Sequence, residues 1–399
     1  MPAEAAPEEA RKHASNGMGR TAAIAVLKVA GYCLGGIHIA ALYAAMFINC
    51  NVVALISLLF VNPILPNVHH RMLAELAAYA WRAFTFWAQV VGGLTPVWTG
   101  DVDKLLKEYK GSKLVMANHQ SFSDSFLIYS IGWPAGEVAH IRAFAKKSLS
   151  YSPVVGWAWS MLNFIFLSRS FEKDKPNIQR QMQKLADRSK AAYSTGNYWM
   201  TIFPEGTRCR PDKLKDAQEF SKARSLPVFE NTLVPRSKGL LATMGEDCTV
   251  LRETADAVVD LTIGYLDRRS GGLKVRPSVT DLLFGLGRRW KVHVHVRVIP
   301  IKEVPKEDDK FTKWLMDVFV EKDKLLDHHK KHGCFPGPVR KVPTATLFLL
   351  VYNLITFLTI ALFVVALGLK LCLFAQGGAR LTFFGTCWLC ACACVKVSW

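Results

Sequence analysis

A chain of 399 residues holds one domain of ordinary size with room left for membrane segments. Its formal net charge of +18 calls for an anionic partner, and either nucleic acid or an anionic membrane surface would meet it. The chain has no zinc-finger spacing, RNA-binding aromatic motif or continuous basic helix. Apolar residues (51% of the chain) gather at both ends, so a bilayer is the expected partner and nucleic acid is not.

Residues 1–20 mix Ala, Glu, Lys and Arg without periodicity and read as a disordered cytosolic tail. Ala22 to Asn49 is apolar apart from Lys28 and His38, long enough to cross a hydrocarbon layer of ~30 Å. After the Asn49-Cys50-Asn51 turn, Val52 to Pro66 forms a shorter run of marginal length. Arg11, Lys12 and Arg20 precede the first run with no small-residue cleavage site, which argues against a cleaved signal peptide. A hairpin or re-entrant loop here keeps the tail and the basic body of the chain on the cytosolic side. Met72 to Trp98 is aromatic and apolar, with Arg71 and Arg82 at or within its bounds. It reads as an amphipathic helix on the interface or against the domain, completing an N-terminal membrane region, 21–98.

The body of the chain, 99–340, alternates strand and helix patterns. Strands are expected at Lys113–Ala117, Tyr198–Phe203, Thr232–Pro235, Val258–Tyr265 and Lys291–Ile299. Helices are expected at Ser123–Ile131, Pro176–Thr195 and Asp212–Ala223. That alternation predicts a layered α/β domain with a central sheet. Its most informative segment is Asn118-His119-Gln120-Ser121-Phe122-Ser123-Asp124, in the turn beyond the first strand, where open α/β sheets place their chemistry. Asp124 is placed to swing back onto the His119 ring. A carboxylate on one ring nitrogen fixes the tautomer and leaves the other nitrogen free to accept a proton. If the substrate brings the hydroxyl, no Ser or Cys nucleophile is needed. The bland alternative is a satisfied structural histidine.

A second strand-to-turn junction carries Phe203-Pro204-Glu205-Gly206-Thr207-Arg208. A planar guanidinium beside turn amides suits a phosphate, because it donates two hydrogen bonds at once. The alternative is a solvated turn with a surface Arg.

Further along, Val292-His293-Val294-His295-Val296 alternates with period two, so the valines are expected to face the core and the histidines outward. No third ligand is spaced to make His293 and His295 a metal site, and no metal is expected. Asp327-His328-His329-Lys330-Lys331-His332 reads as the solvated end of a charged helix. Thr344 to Leu371 has bilayer-spanning length, and Leu381 to Val397 follows as a shorter run beyond Gln376–Arg380. Together they make a C-terminal membrane region, 341–399. The ten cysteines do not form a disulfide framework; Cys372, Cys387, Cys390, Cys392 and Cys394 crowd into this tail, as an apolar end or as palmitoylation sites on the reduced cytosolic side.

The two junctions together resemble the glycerolipid acyltransferases, which carry an NHxxxxD box and an EGTR box. Two more stretches are similar to that family's second and fourth boxes: Gly156-Trp157 through Ser168-Arg169-Ser170-Phe171-Glu172-Lys173-Asp174, and Leu233-Val234-Pro235-Arg236-Ser237-Lys238-Gly239. The fourth-box form, the Trp-rich second box and Asp216-Ala217-Gln218-Glu219 are similar to the endoplasmic-reticulum lysophosphatidate acyltransferases of plants and animals. The likeness covers roughly 70–335. Departures exist: Gln120 to Ser123 lack the acidic or second polar residue common there, Ser125 stands where Trp is usual, and Asn163 replaces a Gly.

The resemblance implies transfer of an acyl group from acyl-CoA to the sn-2 hydroxyl of lysophosphatidic acid, giving phosphatidic acid. His119 would act as general base and Asp124 as its orienter, with turn amides after the first box as candidate oxyanion donors. It further implies that Arg208 and the Glu205-Gly206-Thr207 turn bind the acceptor, and that Arg169 assists at the same anion. Pro235, Arg236 and Lys238 would shape the donor side, with Asn118 at the edge of the site. No bound cofactor is implied; coenzyme A enters as the carrier of the acyl substrate. The implied setting is an integral protein of the endoplasmic reticulum with its catalytic domain facing the cytosol. Rival readings are acyl transfer to lysophosphatidylinositol, lysocardiolipin or lysophosphatidylcholine, a CoA-independent transacylase, or a basic membrane scaffold without chemistry.

Overall fold

A computed structural model of the protein describes residues 47–152, 155–168, 170–190, 197–268, 276–278, 281 and 287–342, together with the single residues 37 and 358. Both long apolar runs fall outside it, save for Ile37, Phe47–Asn49 and Leu358, as does the cysteine-rich tail. Among the described residues no helix is long and apolar enough to cross a membrane. Cys50, Cys209, Cys248 and Cys334 are free thiols.

Seven strands form one mixed sheet in the order β1-β7-β6-β2-β5-β3-β4. They are β1 (Pro96–Gly100), β2 (Ser112–Ala117), β3 (Ile141–Lys146), β4 (Ile165–Leu167), β5 (Trp199–Ile202), β6 (Ala255–Asp267) and β7 (Trp290–Pro300). All pairings are parallel except β6 with β7. The helices around the sheet are α1 (Pro66–Phe86), α2 (Val102–Lys107), α3 (Asp124–Gly132), α4 (Val155–Met161), α5 (Phe171–Lys190), α6 (Pro211–Ala223), α7 (Lys238–Met244), α8 (Val250–Thr254) and α9 (Asp308–His332).

Successive residues of a strand point to opposite faces. In β2 this sends Val115 and Ala117 into one apolar cluster with α1 and α3, and Leu114 and Met116 into a second with α5, α7 and α9. A sheet covered on both faces needs apolar side chains on both, which is why β2 is one unbroken buried run. The strand expected at Thr232–Pro235 is absent; those residues form an irregular loop. Leu233 gives its amide to a side chain, Glu205 Oε2, rather than to a ladder. Strands β1, β3 and β4 are short and have no clean alternation, so hydrophobic periodicity does not reveal them.

The N-terminal helix is shifted from its expected position. It begins at Pro66, where a proline costs no helical hydrogen bond, and ends at Phe86, while Pro96 to Trp98 of the expected helix belong to β1. It packs on the domain: Trp81 stacks on Tyr129 of α3 with ring centroids 4.4 Å apart. Helix α5 starts five residues before Pro176, and that proline near its first turn removes only one amide donor.

The histidines of β7 are also placed differently from expectation. Helix α9 and Phe335 cover that face of the sheet, so His293 and His329 are both buried, with ring centroids 5.0 Å apart. Their four ring nitrogens have no hydrogen-bond partner among the described residues. Phe335 stacks on His329 at 4.8 Å, and the helix closes at Gly333 in the left-handed conformation. The fit depends on Gly264, because a Cβ there would come 2.7 Å from His329 Nδ1. Alternation located the face correctly, but only tertiary packing covers it. Nearby, Lys322 of α9 reaches Asp260 Oδ1 at 2.5 Å and Leu261 O at 2.7 Å, and Arg297 pairs with the other Asp260 oxygen at 2.9 Å.

Burial, with Lys291 and the neighbouring imidazoles, pushes His293 down to about 4 and His329 down to about 3. A basic group whose folded pKa is depressed stabilises the fold above its unfolded pKa, and that stability is lost as pH falls through the window from about 6.5 toward 4. His329→Phe, which cannot titrate, should therefore lose less Tm than wild type between pH 7 and pH 5. Scanning both proteins at the two pH values isolates the pair from all other titrating groups.

Candidate active site

The turn after β2 places the base. Asn118 ends the strand and is fully buried, and its side chain both donates to Ile263 O (3.0 Å) and accepts from Ile263 N (2.8 Å). This side chain extends the β2–β6 pairing past the last strand residue and fixes where the turn begins. His119 follows, with Nδ1 2.9 Å from Asp124 Oδ2. Asp124 opens α3 and is fully buried. The same oxygen accepts the amides of Gln120 (2.7 Å) and Ser121 (2.9 Å), and Oδ1 accepts the Tyr265 hydroxyl (2.7 Å). Asp124 accepts on both oxygens, so His119 Nδ1 is the donor that faces it.

The other ring nitrogen is bonded by no described residue, and the side chain is 22% exposed. Phe203, at the end of the strand run, stacks on the imidazole with centroids 4.2 Å apart. The ring is thus fixed on one edge and one face, with Nε2 open. The Ser121 and Ser123 hydroxyls are bonded to each other, Ser121 also reaches Pro277 O, and Cys209 Sγ turns to Asn231 O. These neighbours are engaged away from the imidazole, which leaves an oriented ring with one nitrogen open to a hydroxyl supplied from outside. The amides of Gln120 and Ser121, inside the first box, are spent on Asp124, and the Ser123 amide on Ser121 Oγ at 3.0 Å.

The second junction lies directly behind the first. Glu205 is buried and uses both oxygens on backbone: Oε1 accepts the His119 amide (2.7 Å) and Oε2 the Leu233 amide (3.0 Å). Burial pushes its carboxyl up to about 8, against the two amide donors that favour ionisation. Expected among the acceptor-binding residues, Glu205 is here the clamp that joins three turns. Gly206 follows at φ +70°, a conformation that L side chains rarely adopt. The Cys209 amide returns to His119 O at 2.7 Å. Between these anchors Gly206 and Arg208 are exposed and Thr207 is half-buried.

The fourth stretch packs against this turn. Arg236 gives its amide to Pro204 O (2.9 Å), and its side chain lies beside Gly206, within 3.6–3.8 Å of where a Cβ would stand. Pro235 is buried, while Arg236 and Lys238 are exposed, Lys238 lying 5.6 Å from the Phe171 ring centre. Arg169 lies outside the described residues; its neighbour Ser168 is pinned by Asp174 Oδ1 at 2.8 Å from the amide and 2.7 Å from the hydroxyl.

Three contributors carry no local signature in the sequence. Tyr265 ends an expected strand, but its contact with Asp124 spans 141 residues of chain. Arg276 sits in the field of both Cys209 and Tyr265, adding a cation beside the box-one turn. Asp323 of α9 accepts the Glu230 (3.0 Å) and Asn231 (2.8 Å) amides and so holds the loop that meets Glu205. Tyr265→Phe should lower kcat about tenfold with little change in KM, because it removes one donor from the carboxylate that orients the base. Steady-state kinetics on the variant check the split.

The sheet and the oriented imidazole at the end of its strand define an α/β domain with an open ring nitrogen at its strand-end turn. An acyltransferase family pattern matches residues 101–250, and an acyltransferase C-terminus pattern matches 281–356. The chain is 30% identical over 287 residues to 1-acyl-sn-glycerol-3-phosphate acyltransferase 2 of Brassica napus, covering 72% of this chain and 69% of that protein. It is 29% identical over 231 residues to 1-acyl-sn-glycerol-3-phosphate acyltransferase delta of Homo sapiens, 58% of this chain and 56% of that one. A solved structure, the 1-acyl-sn-glycerophosphate (LPA) acyltransferase PlsC of Thermotoga maritima, aligns at 18% identity and a TM-score of 0.39, over 74% of this chain and 98% of that one. The chain belongs to the glycerolipid acyltransferase family.

Proposed function

We propose that the protein is a membrane-bound 1-acyl-sn-glycerol-3-phosphate O-acyltransferase, carrying an acyl group from acyl-CoA to the sn-2 hydroxyl of lysophosphatidic acid. The observation that carries this reading is the 2.9 Å contact between His119 Nδ1 and Asp124, with Nε2 open and exposed Arg208 next in chain to Cys209, whose amide meets His119 O. Its relatives' names give the substrate class.

His119 Nε2 takes the proton of the acceptor hydroxyl as that oxygen attacks the thioester carbonyl. Asp124 stabilises the imidazolium that forms. Collapse of the tetrahedral intermediate breaks the carbon–sulfur bond, and the proton on Nε2 passes to the departing coenzyme A thiolate. Arg208, with Arg236 beside it across Gly206, supplies the charge for the acceptor phosphate, and Arg169 assists. The Gly206-Thr207 backbone allows close approach, while Glu205 and Asn118 set the turns. Pro235 and Lys238 border the donor side. Positioning supplies a large part of the rate, since general-base assistance alone contributes roughly 10²- to 10⁴-fold.

Residues 99–340 would be the catalytic unit between two membrane-anchoring ends, facing the cytosol from the endoplasmic reticulum. Exposed Ile56, Leu59, Phe60, Ile64 and Leu65, all ahead of α1, support a lipid-facing surface there. Keeping both acyl chains in lipid avoids a transfer cost of ~0.8 kcal/mol per CH₂.

The test is acyl transfer by detergent-solubilised full-length protein, with labelled oleoyl-CoA and, in parallel, lysophosphatidate, lysophosphatidylinositol and lysophosphatidylcholine. Phosphatidate as the main product establishes the reading. A different main product overturns the substrate, and no transfer with any acceptor overturns the donor or the activity.

A further inference from the structure

A cavity of about 240 Å³ opens at the opposite end of the sheet from His119. It is lined where β3 and β5 begin, ahead of β4, by the C-terminal end of α5 and by the first two turns of α1. His119 lies past the other end of β2, so the six residues of that strand separate the two places by about 20 Å.

The lining is rich in basic side chains and holds one carboxylate, Asp187. Arg142, Arg188, His70 and His140 all border it, beside the amides Asn67, Asn163 and Asn197. Arg142 is only 9% exposed. Its Nη1 donates to Ala139 O and Ile141 O, both at 2.9 Å, and its Nε is buried without a partner among the described residues. No carboxylate faces this guanidinium closely enough to pair with it among the described residues. Glu137 pairs with His140 at 2.9 Å, and Asp187, in the lining, accepts Gln183 Nε2 at 2.7 Å.

Arg188 is the common source of repulsion. Burial first, and then the Arg188 charge, pushes Arg142 down to about 10 and His70 down to about 4, and the same two causes lower His69. Two guanidiniums are thus held against their mutual repulsion, an arrangement that an anion would relieve. Two guanidiniums suit the oxygens of a phosphate better than any neutral group, since each presents a planar set of donors.

We propose that this cavity binds a phosphate group between Arg142 and Arg188, at a site separate from the acyl-transfer centre. The mouth is bordered by Pro66 and Asn67, with exposed Ile64, Leu65 and Val68 alongside, so a phospholipid head group could enter with its chains on that apolar edge. A soluble phosphate would satisfy the same donors.

The test uses the full chain in a zwitterionic detergent with two probes. Inorganic phosphate is titrated against chloride at matched ionic strength and read by the rise in Tm. Protein reconstituted from that detergent into vesicles of phosphatidylcholine with and without phosphatidate is read the same way, by the rise in Tm. Arg188→Gln and His70→Gln are the variants, because both side chains are less buried than Arg142; Arg142→Lys, which keeps the charge and loses the planar fork, is the third. Each should weaken binding by about tenfold while leaving kcat and the KM for lysophosphatidate unchanged. Weakening with both probes supports the site and shows that phosphate suffices. Weakening with vesicles alone supports it as a lipid head-group site. Unchanged binding in Arg188→Gln and Arg142→Lys overturns the proposal, and a raised lysophosphatidate KM in either overturns its separation from the acyl-transfer centre.

Discussion

His119→Ala should reduce acyl transfer by roughly 10²- to 10⁴-fold or more while leaving the protein folded. The rate loss follows from the geometry: Nε2 is the one ring nitrogen left open, and Asp124 bonds the other at 2.9 Å. The fold should survive for an equally local reason. Asp124 keeps its three other donors, the Gln120 and Ser121 amides and the Tyr265 hydroxyl, when the imidazole goes. The His119 amide still meets Glu205, because that bond is made by backbone. Initial rates at saturating acyl-CoA, with a thermal melt of the same preparation, test both halves. A melt like that of wild type with full activity would remove His119 from the mechanism.

Glu205→Ala should act differently and lower both stability and rate. Two buried amides, from His119 and Leu233, would lose their acceptors at once. Unpaired buried donors cost about 1–3 kcal/mol each, so the sum is a large share of a net stability of about 5–15 kcal/mol. A fall in Tm of about 10 °C is expected. Because the His119 backbone would lose its anchor, kcat should fall with it. Glu205→Gln keeps one acceptor oxygen and should sit between the two. A thermal melt beside a KM and kcat determination separates this positioning role from direct contact with the acceptor: an unchanged Tm with only a raised acceptor KM would return Glu205 to the substrate.

These two residues show how differently a site can be written in a sequence. His119 and Asp124 are five positions apart across a strand-to-helix turn, so local geometry alone brings them together, and both were legible. Glu205 was legible as a member of the same site but not in its role. Whether a carboxylate in an exposed-looking turn faces solvent or backbone depends on Leu233, which lies 28 residues further on. Tyr265 and Asp323 were not legible as site residues at all, because each acts through sheet pairing or helix docking across a long stretch of chain.

The sequence by itself determined the alternating α/β order, the strands β2, β5, β6 and β7 to within a few residues, and the contact of His119 with Asp124. It did so because hydrophobic periodicity and short-range turn chemistry are local properties. Tertiary structure alone decided the rest. It covered the histidine face of β7 with α9, turned Thr232–Pro235 from a strand into a loop held by Glu205 and Asp323, and spent the box-one amides on Asp124. It also gathered Arg142, Arg188 and His70 around one cavity from three separate elements. Burial and hydrogen-bond partnership are set by whatever segment arrives opposite, and that segment is distant in the chain.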